Sequence, residues 1–140
     1  MIKKITCYTD GSCQYNPHGA MGFGYVIESP NSEIIKFSGE EDEKYGNTNN
    51  VAEYKALMLL LERLIELDLT AEEIVINTDC KLISNQFMGR GRSKRGFYLP
   101  FTFDAARLVK RFRNLKISWI PREENQEADY LSSIYYKGAA

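Results

Sequence analysis

Four carboxylates stand at places where a side chain can be held rigidly and still reach solvent. Asp10 follows the apolar-alternating stretch Ile5–Thr9, Glu53 lies at the start of a long helical pattern, Asp79 follows the run Ile74-Val75-Ile76, and Asp129 lies near the start of the last helical segment. Each has an ordinary structural use: a turn residue in Asp10-Gly11-Ser12, a capping-box partner of Asn50, an N-cap, a surface acid. Together they suggest something else. If the first and fourth strands are neighbours, Asp10 and Asp79 share one sheet edge, where open α/β sheets form their functional crevices. Clustered carboxylates repel unless a cation or a raised pKa relieves them. A hard divalent ion such as Mg²⁺ takes oxygen ligands and keeps room for a phosphate. Two such ions ~4 Å apart activate water and stabilise a leaving oxygen in phosphodiester hydrolysis.

The elements that must position these groups can be read from periodicity. Residues 3–9, 22–28 and 33–38 read as strands, with Ser29-Pro30-Asn31-Ser32 as the turn of a hairpin. Val51, Tyr54, Leu57, Met58, Leu61, Leu64 and Ile65 form one helical stripe from 51 to about 67. A buried strand over 74–76 follows, then a helix from Asp79 to about Met88. A basic glycine-spaced loop leads to a helix over 101–113, a strand over 116–120 stopped by Pro121, and a last helix from about Asn125 to Tyr136. The order βββαβααβα predicts a mixed sheet with helices packed on it.

Composition narrows the setting. At 140 residues the chain has the length of one domain, and 44% hydrophobic with 26% charged residues is ordinary for a globular protein. No apolar run approaches a membrane span, and Met1–Tyr8 is too short and polar for a signal peptide. Cys7, Cys13 and Cys80 make no CxxC and cannot all pair, which points to free thiols in a reducing compartment. The net charge of −1 announces no polyanion partner, but residues 90–116 hold nine Lys or Arg against Asp104 alone. Such a segment is either a solvated face or a phosphate footprint.

Asp10-Gly11-Ser12, Thr48-Asn49-Asn50-Val51-Ala52-Glu53, Thr78-Asp79 and Asn125-Gln126-Glu127-Ala128-Asp129 resemble ribonuclease H of the type 1 class, from about Ile5 to Leu131. The resemblance implies an α/β, ribonuclease H-like fold over residues 1–140: a five-stranded mixed sheet, three antiparallel strands then two parallel, with helices on both faces. It implies endonucleolytic hydrolysis of the RNA strand of an RNA/DNA hybrid, leaving 5′-phosphate and 3′-hydroxyl ends. Asp10, Glu53, Asp79 and Asp129 would hold two Mg²⁺, with Mn²⁺ able to substitute. The family's minor-groove positions fall on Gly11, Ser12, Cys13, Asn16, Asn49 and Asn50, with Thr48 near a DNA phosphate. Asn both donates and accepts, which suits a 2′-hydroxyl. Cys80 and Lys81 fall beside the RNA strand, and Arg92, Lys94 and Arg95 form a shortened basic loop against the DNA strand. A cytoplasmic monomer with no obligate protein partner and no membrane contact is the matching expectation.

One departure stands out. Many members carry a histidine before the last helix; here that loop is Pro121-Arg122-Glu123-Glu124, and the single histidine, His18, lies in a glycine-flanked loop where a turn role is expected. Glu123 or Glu124 is the expected auxiliary group in product release. Two other readings keep the fold: a DNA-directed nuclease of the resolvase kind, and an inactive nucleic-acid-binding domain. The second would be expected to have lost one of the four acids, and all four are present.

Overall fold

The first strand runs further than its apolar alternation suggests. In the computed structural model, which describes residues 3–31, 33–89 and 95–134, β1 spans Lys4–Cys13 and carries Asp10, Gly11 and Ser12 within it rather than in a turn. The reason is its partner: β2 (Met21–Glu28) pairs antiparallel along the whole length, with Asp10 opposite Gly24 and Cys13 opposite Met21. β3 (Ile34–Glu41) completes the hairpin on the far side of β2. β4 (Glu73–Thr78) and β5 (Asn114–Trp119) add in parallel on the other side of β1, giving the order β3-β2-β1-β4-β5. The expected mixed sheet, with three antiparallel strands and then two parallel, is the one observed.

Side chains alternate across β1, so its odd-numbered residues face one layer and its even-numbered residues the other. On the odd side lies α1 (Asn49–Glu66), which buries Leu57, Leu60, Leu61 and Leu64 completely; each contributes about 1.5–3 kcal/mol relative to exposure. α3 (Leu99–Val109) packs against α1. On the other side α4 (Gln126–Ser133) packs on β1, β2 and β3. A short α2 (Lys81–Phe87) follows β4. Pro121 leads into a single 3₁₀ turn, Arg122–Glu124.

Two caps differ from the sequence expectation. Thr48, not Asn50, caps α1: its Oγ1 accepts from the Val51 N–H at 3.0 Å. Cys80, not Asp79, occupies the N-cap of α2, with no side-chain cap bond there. In both cases the acid expected as a capping group points into the cleft described next. The three cysteines are free and buried, and His18 takes the turn role expected of it, its Nδ1 accepting from the Gly46 N–H at 3.0 Å.

Candidate active site

The parallel register pairs Thr9 with Thr78, so the next residues along the two strands, Asp10 and Asp79, stand side by side on the face of the sheet that carries α4. Two glycines let helices reach this point from opposite faces. A Cβ on Gly11 would lie 2.1 Å from the Ala52 carbonyl oxygen and 2.6 Å from the Glu53 nitrogen. Only a residue without one allows α1 to cross so close, and Gly11 then donates its N–H to Glu53 Oε1 at 2.9 Å. On the other face a Cβ on Gly24 would lie 2.6 Å from the Ala128 carbonyl oxygen and 2.7 Å from the Ser132 nitrogen. Gly24 is the residue opposite Asp10, so its bareness admits α4 beside that carboxylate. Ser132 Oγ lies 3.3 Å from Asp10 Oδ2 and 2.8 Å from the Asp129 carbonyl.

The result is one cleft lined by all four acids. Asp10, Glu53 and Asp79 each offer an oxygen within 4.8 Å of the others; Asp129 lines the same cleft. Burial pushes Asp10 up to about 8, with the charges of Asp79 and Asp129 adding to the rise. Burial likewise raises Glu53 well above the usual carboxylate range, with Asp10 and Asp79 next in effect. Asp79 is raised by burial but held back by the Asn125 amide and the Arg122 guanidinium.

The donor set fits a hard divalent ion: oxygen only, partly buried, with surplus negative charge. Cys80, which lines the same cleft, is pushed up to about 12 by burial and then by Glu53.

Of the residues expected to meet substrate, Gly11, Ser12, Cys13, Asn49, Asn50, Cys80 and Lys81 line this cleft. Asn16 and Thr48 sit behind it as supports. Asn16 Oδ1 accepts from the Asn49 N–H at 3.1 Å, and Asn49 Oδ1 accepts from the Cys13 N–H at 2.9 Å, tying the 14–19 loop to the start of α1. Arg95 is exposed and does not line the cleft, while Arg92 and Lys94 lie outside the described residues. Glu123 is exposed and does not line the cleft; Glu124 lines a different cavity, with Tyr8 and Glu28.

Three groups that the sequence reading passed over belong to the cleft. Arg122 lines it and is its guanidinium. Buried Asn125 donates to the Thr9 carbonyl at 3.0 Å and reaches Asp79 Oδ2 at 3.5 Å, holding the ends of β1 and β4 together. Ser132 braces Asp10. The signal for Arg122 was present: it is the cation of a short loop that ends beside an acidic motif.

Fold and site together define a ribonuclease H-like domain with a carboxylate cleft at the ends of its central strands. The chain belongs to the type 1 ribonuclease H family: the reverse transcriptase-like family model matches residues 8–134, and solved members superpose over nearly the whole chain. LC11-RNase H1, solved in complex with RNA/DNA hybrid, gives a TM-score of 0.80 at 34% identity, covering 92% of this chain and 94% of that one. RNase H1 of Halobacterium salinarum gives 0.83 at 26% identity, covering 96% and 98%. The bifunctional protein Rv2228c of Mycobacterium tuberculosis is 32% identical over 98% of this chain but only 36% of its own length. Its N-terminal RNase H domain superposes with a TM-score of 0.81 at 30% identity, covering 94% of this chain and 91% of that one. The chain thus spans about a third of the mycobacterial relative.

Proposed function

We propose that this protein cuts the RNA strand of RNA/DNA hybrids by metal-assisted hydrolysis. The observation that carries the reading is the cleft in which Asp10, Glu53, Asp79 and Asp129 converge, rimmed by the amides and hydroxyl of Ser12, Asn49 and Asn50. Small polar groups around an anionic centre suit a shallow minor groove, where a 2′-hydroxyl distinguishes RNA from DNA. The relatives' names, and one relative's capture with RNA/DNA hybrid, support the same substrate.

Asp10, Glu53, Asp79 and Asp129 would hold two Mg²⁺ or Mn²⁺, which when bound supply Lewis-acid stabilisation of phosphate charge and a more acidic water. The chain's own contribution is placement. The Gly11 N–H and the Asn125 amide fix Glu53 and Asp79. Ser132 fixes Asp10. Arg122 is placed to meet a phosphate at the rim, whereas Glu123 and Glu124, expected as auxiliary groups in product release, do not line the cleft. Cleavage would leave a 5′-phosphate and a 3′-hydroxyl. The protein is proposed to act as a monomer in the cytoplasm; among the described residues no helix is long and apolar enough to cross a membrane.

The test is cleavage of hybrid labelled on the RNA strand, with Mg²⁺, Mn²⁺ or chelator, against double-stranded RNA, double-stranded DNA and single strands. Metal-dependent cutting of hybrid RNA, reduced to background in Asp10→Asn, is expected. Cutting of DNA would replace this reading with a resolvase-like one, and tight hybrid binding with no cutting under any metal would refute catalysis.

A further inference from the structure

Beside the carboxylate cleft lies a second, larger concavity of about 710 Å³, between α2, the end of α3 and the edge strand β5. That volume falls in the range of sites that take small molecules and nucleotides. Its walls include Trp119, Met88, Asn85 and Ser118, with Lys81 and Lys116 at the rim, and none of its lining residues is acidic. Trp119 is 41% exposed and Met88 49% exposed, so the fold leaves both large apolar side chains open. An indole with the Lys81 ammonium over its ring, and Lys116 elsewhere on the same wall, offers an unpaired nucleotide a π-face for the base and cations for its phosphate.

The concavity is continuous with the carboxylate cleft. Lys81 lines both. Its Nζ lies 5.2 Å from the centre of the Trp119 ring, and the Trp119 indole N–H donates to the Asp79 carbonyl at 3.2 Å. A strand that crosses Asp79 and continues past Lys81 arrives at Trp119.

We propose that this concavity is a second nucleotide subsite. It takes an unpaired ribonucleotide of the RNA strand where that strand leaves the hybrid, its base against Trp119 and its phosphate between Lys81 and Lys116. The inference rests on the hybrid-cleavage reading, which sets the RNA strand across the carboxylates. A paired base is stacked and hydrogen-bonded on its Watson–Crick edge; only a single-stranded flank presents a free face to the indole. The proposed site therefore recognises the junction between hybrid and single-stranded RNA.

Trp119 is the only tryptophan in the chain, so its fluorescence reports on the subsite directly. Binding is measured in chelator, where no turnover is needed. A blunt hybrid is compared with hybrids carrying a short unpaired RNA tail at the 5′ or the 3′ end, and with hybrids carrying the same tails as DNA. One RNA-tailed hybrid is expected to bind about fivefold or more tightly than the blunt one, as base stacking on an aromatic ring provides, and to quench Trp119. Lys116→Ala, an exposed change on the edge strand, should remove that gain while binding blunt hybrid as the unsubstituted protein does. Equal binding of blunt and RNA-tailed hybrids overturns the subsite, as does an equal gain from DNA tails or a gain that survives Lys116→Ala. Loss of blunt-hybrid binding in the unsubstituted protein would instead overturn the hybrid reading itself.

Discussion

At the scale of single residues, the site depends on an absence as much as on its acids. Gly11 sits between Asp10 and Ser12 in a strand, where glycine ordinarily weakens pairing. Its place is explained by the helix crossing it: the Ala52 carbonyl oxygen occupies the space a Cβ would need. Gly11→Ala cannot be relieved by rotating a side chain, because the atoms it meets are backbone. Overpacking of this kind costs typically 1–3 kcal/mol and here about 3 kcal/mol or more. The shift also moves Glu53, whose Oε1 is held by the Gly11 N–H. Urea unfolding with hybrid cleavage on the same preparation checks this: stability and turnover should fall together. A stable but inactive variant would instead assign Gly11 to substrate contact, and an active one would remove the close-packing explanation.

Among the elements, α1 carries both a structural and a chemical load at one end, and the sequence does not separate them. Asn50 and Glu53 have the spacing of a capping box, but the cap is Thr48, and Glu53 leaves the helix surface for the cleft. Removing an N-cap hydroxyl costs about 1 kcal/mol, so Thr48→Ala should lower the unfolding free energy by that amount. Thr48→Ser should restore it, and Asn50→Ala should stay within about 0.5 kcal/mol of the unsubstituted protein. A larger loss in Asn50→Ala than in Thr48→Ala would reinstate the capping box. Much of the element order was legible because periodicity reports burial, and the long stripe of α1 and the short apolar run of β4 are the clearest cases. The end of β1 was not, since Asp10-Gly11-Ser12 has turn composition and only pairing with Gly24, Phe23 and Gly22 extends the strand through it. The convergence of the four acids was legible as a motif, whereas the contributions of Arg122, Asn125 and Ser132 depend on how a 3₁₀ turn and α4 sit over the strand ends, which spacing does not encode.

For the whole molecule, the acidic cleft is a cost of folding that a cation can offset. Asp10 is raised to about 8 from an unfolded value of 3.8, chiefly by burial, and burial also raises Glu53 and Asp79. The folded protein then holds protons that the unfolded chain has released. Stability is therefore highest below the unfolded pKa of Asp10 and is lost as pH rises toward about 8. Ordinary carboxylates that gain partners on folding give the opposite slope. A divalent ion binds the ionised cluster and not the unfolded chain, so it stabilises most at the alkaline end. Thermal unfolding in chelator should show a melting temperature that falls between pH 5 and pH 8, by roughly 5 °C or more if about 2 kcal/mol is lost. Mg²⁺ should recover most of the loss at pH 8 and little at pH 5. Asp10→Asn removes one of these displaced protons, so in chelator it should melt higher than the unsubstituted protein at pH 8 and respond less to Mg²⁺. A chelated protein whose melting temperature is flat or rising across this range, or an Asp10→Asn variant that gains nothing at pH 8, would mean that the carboxylates are not forced together strongly enough to need a cation.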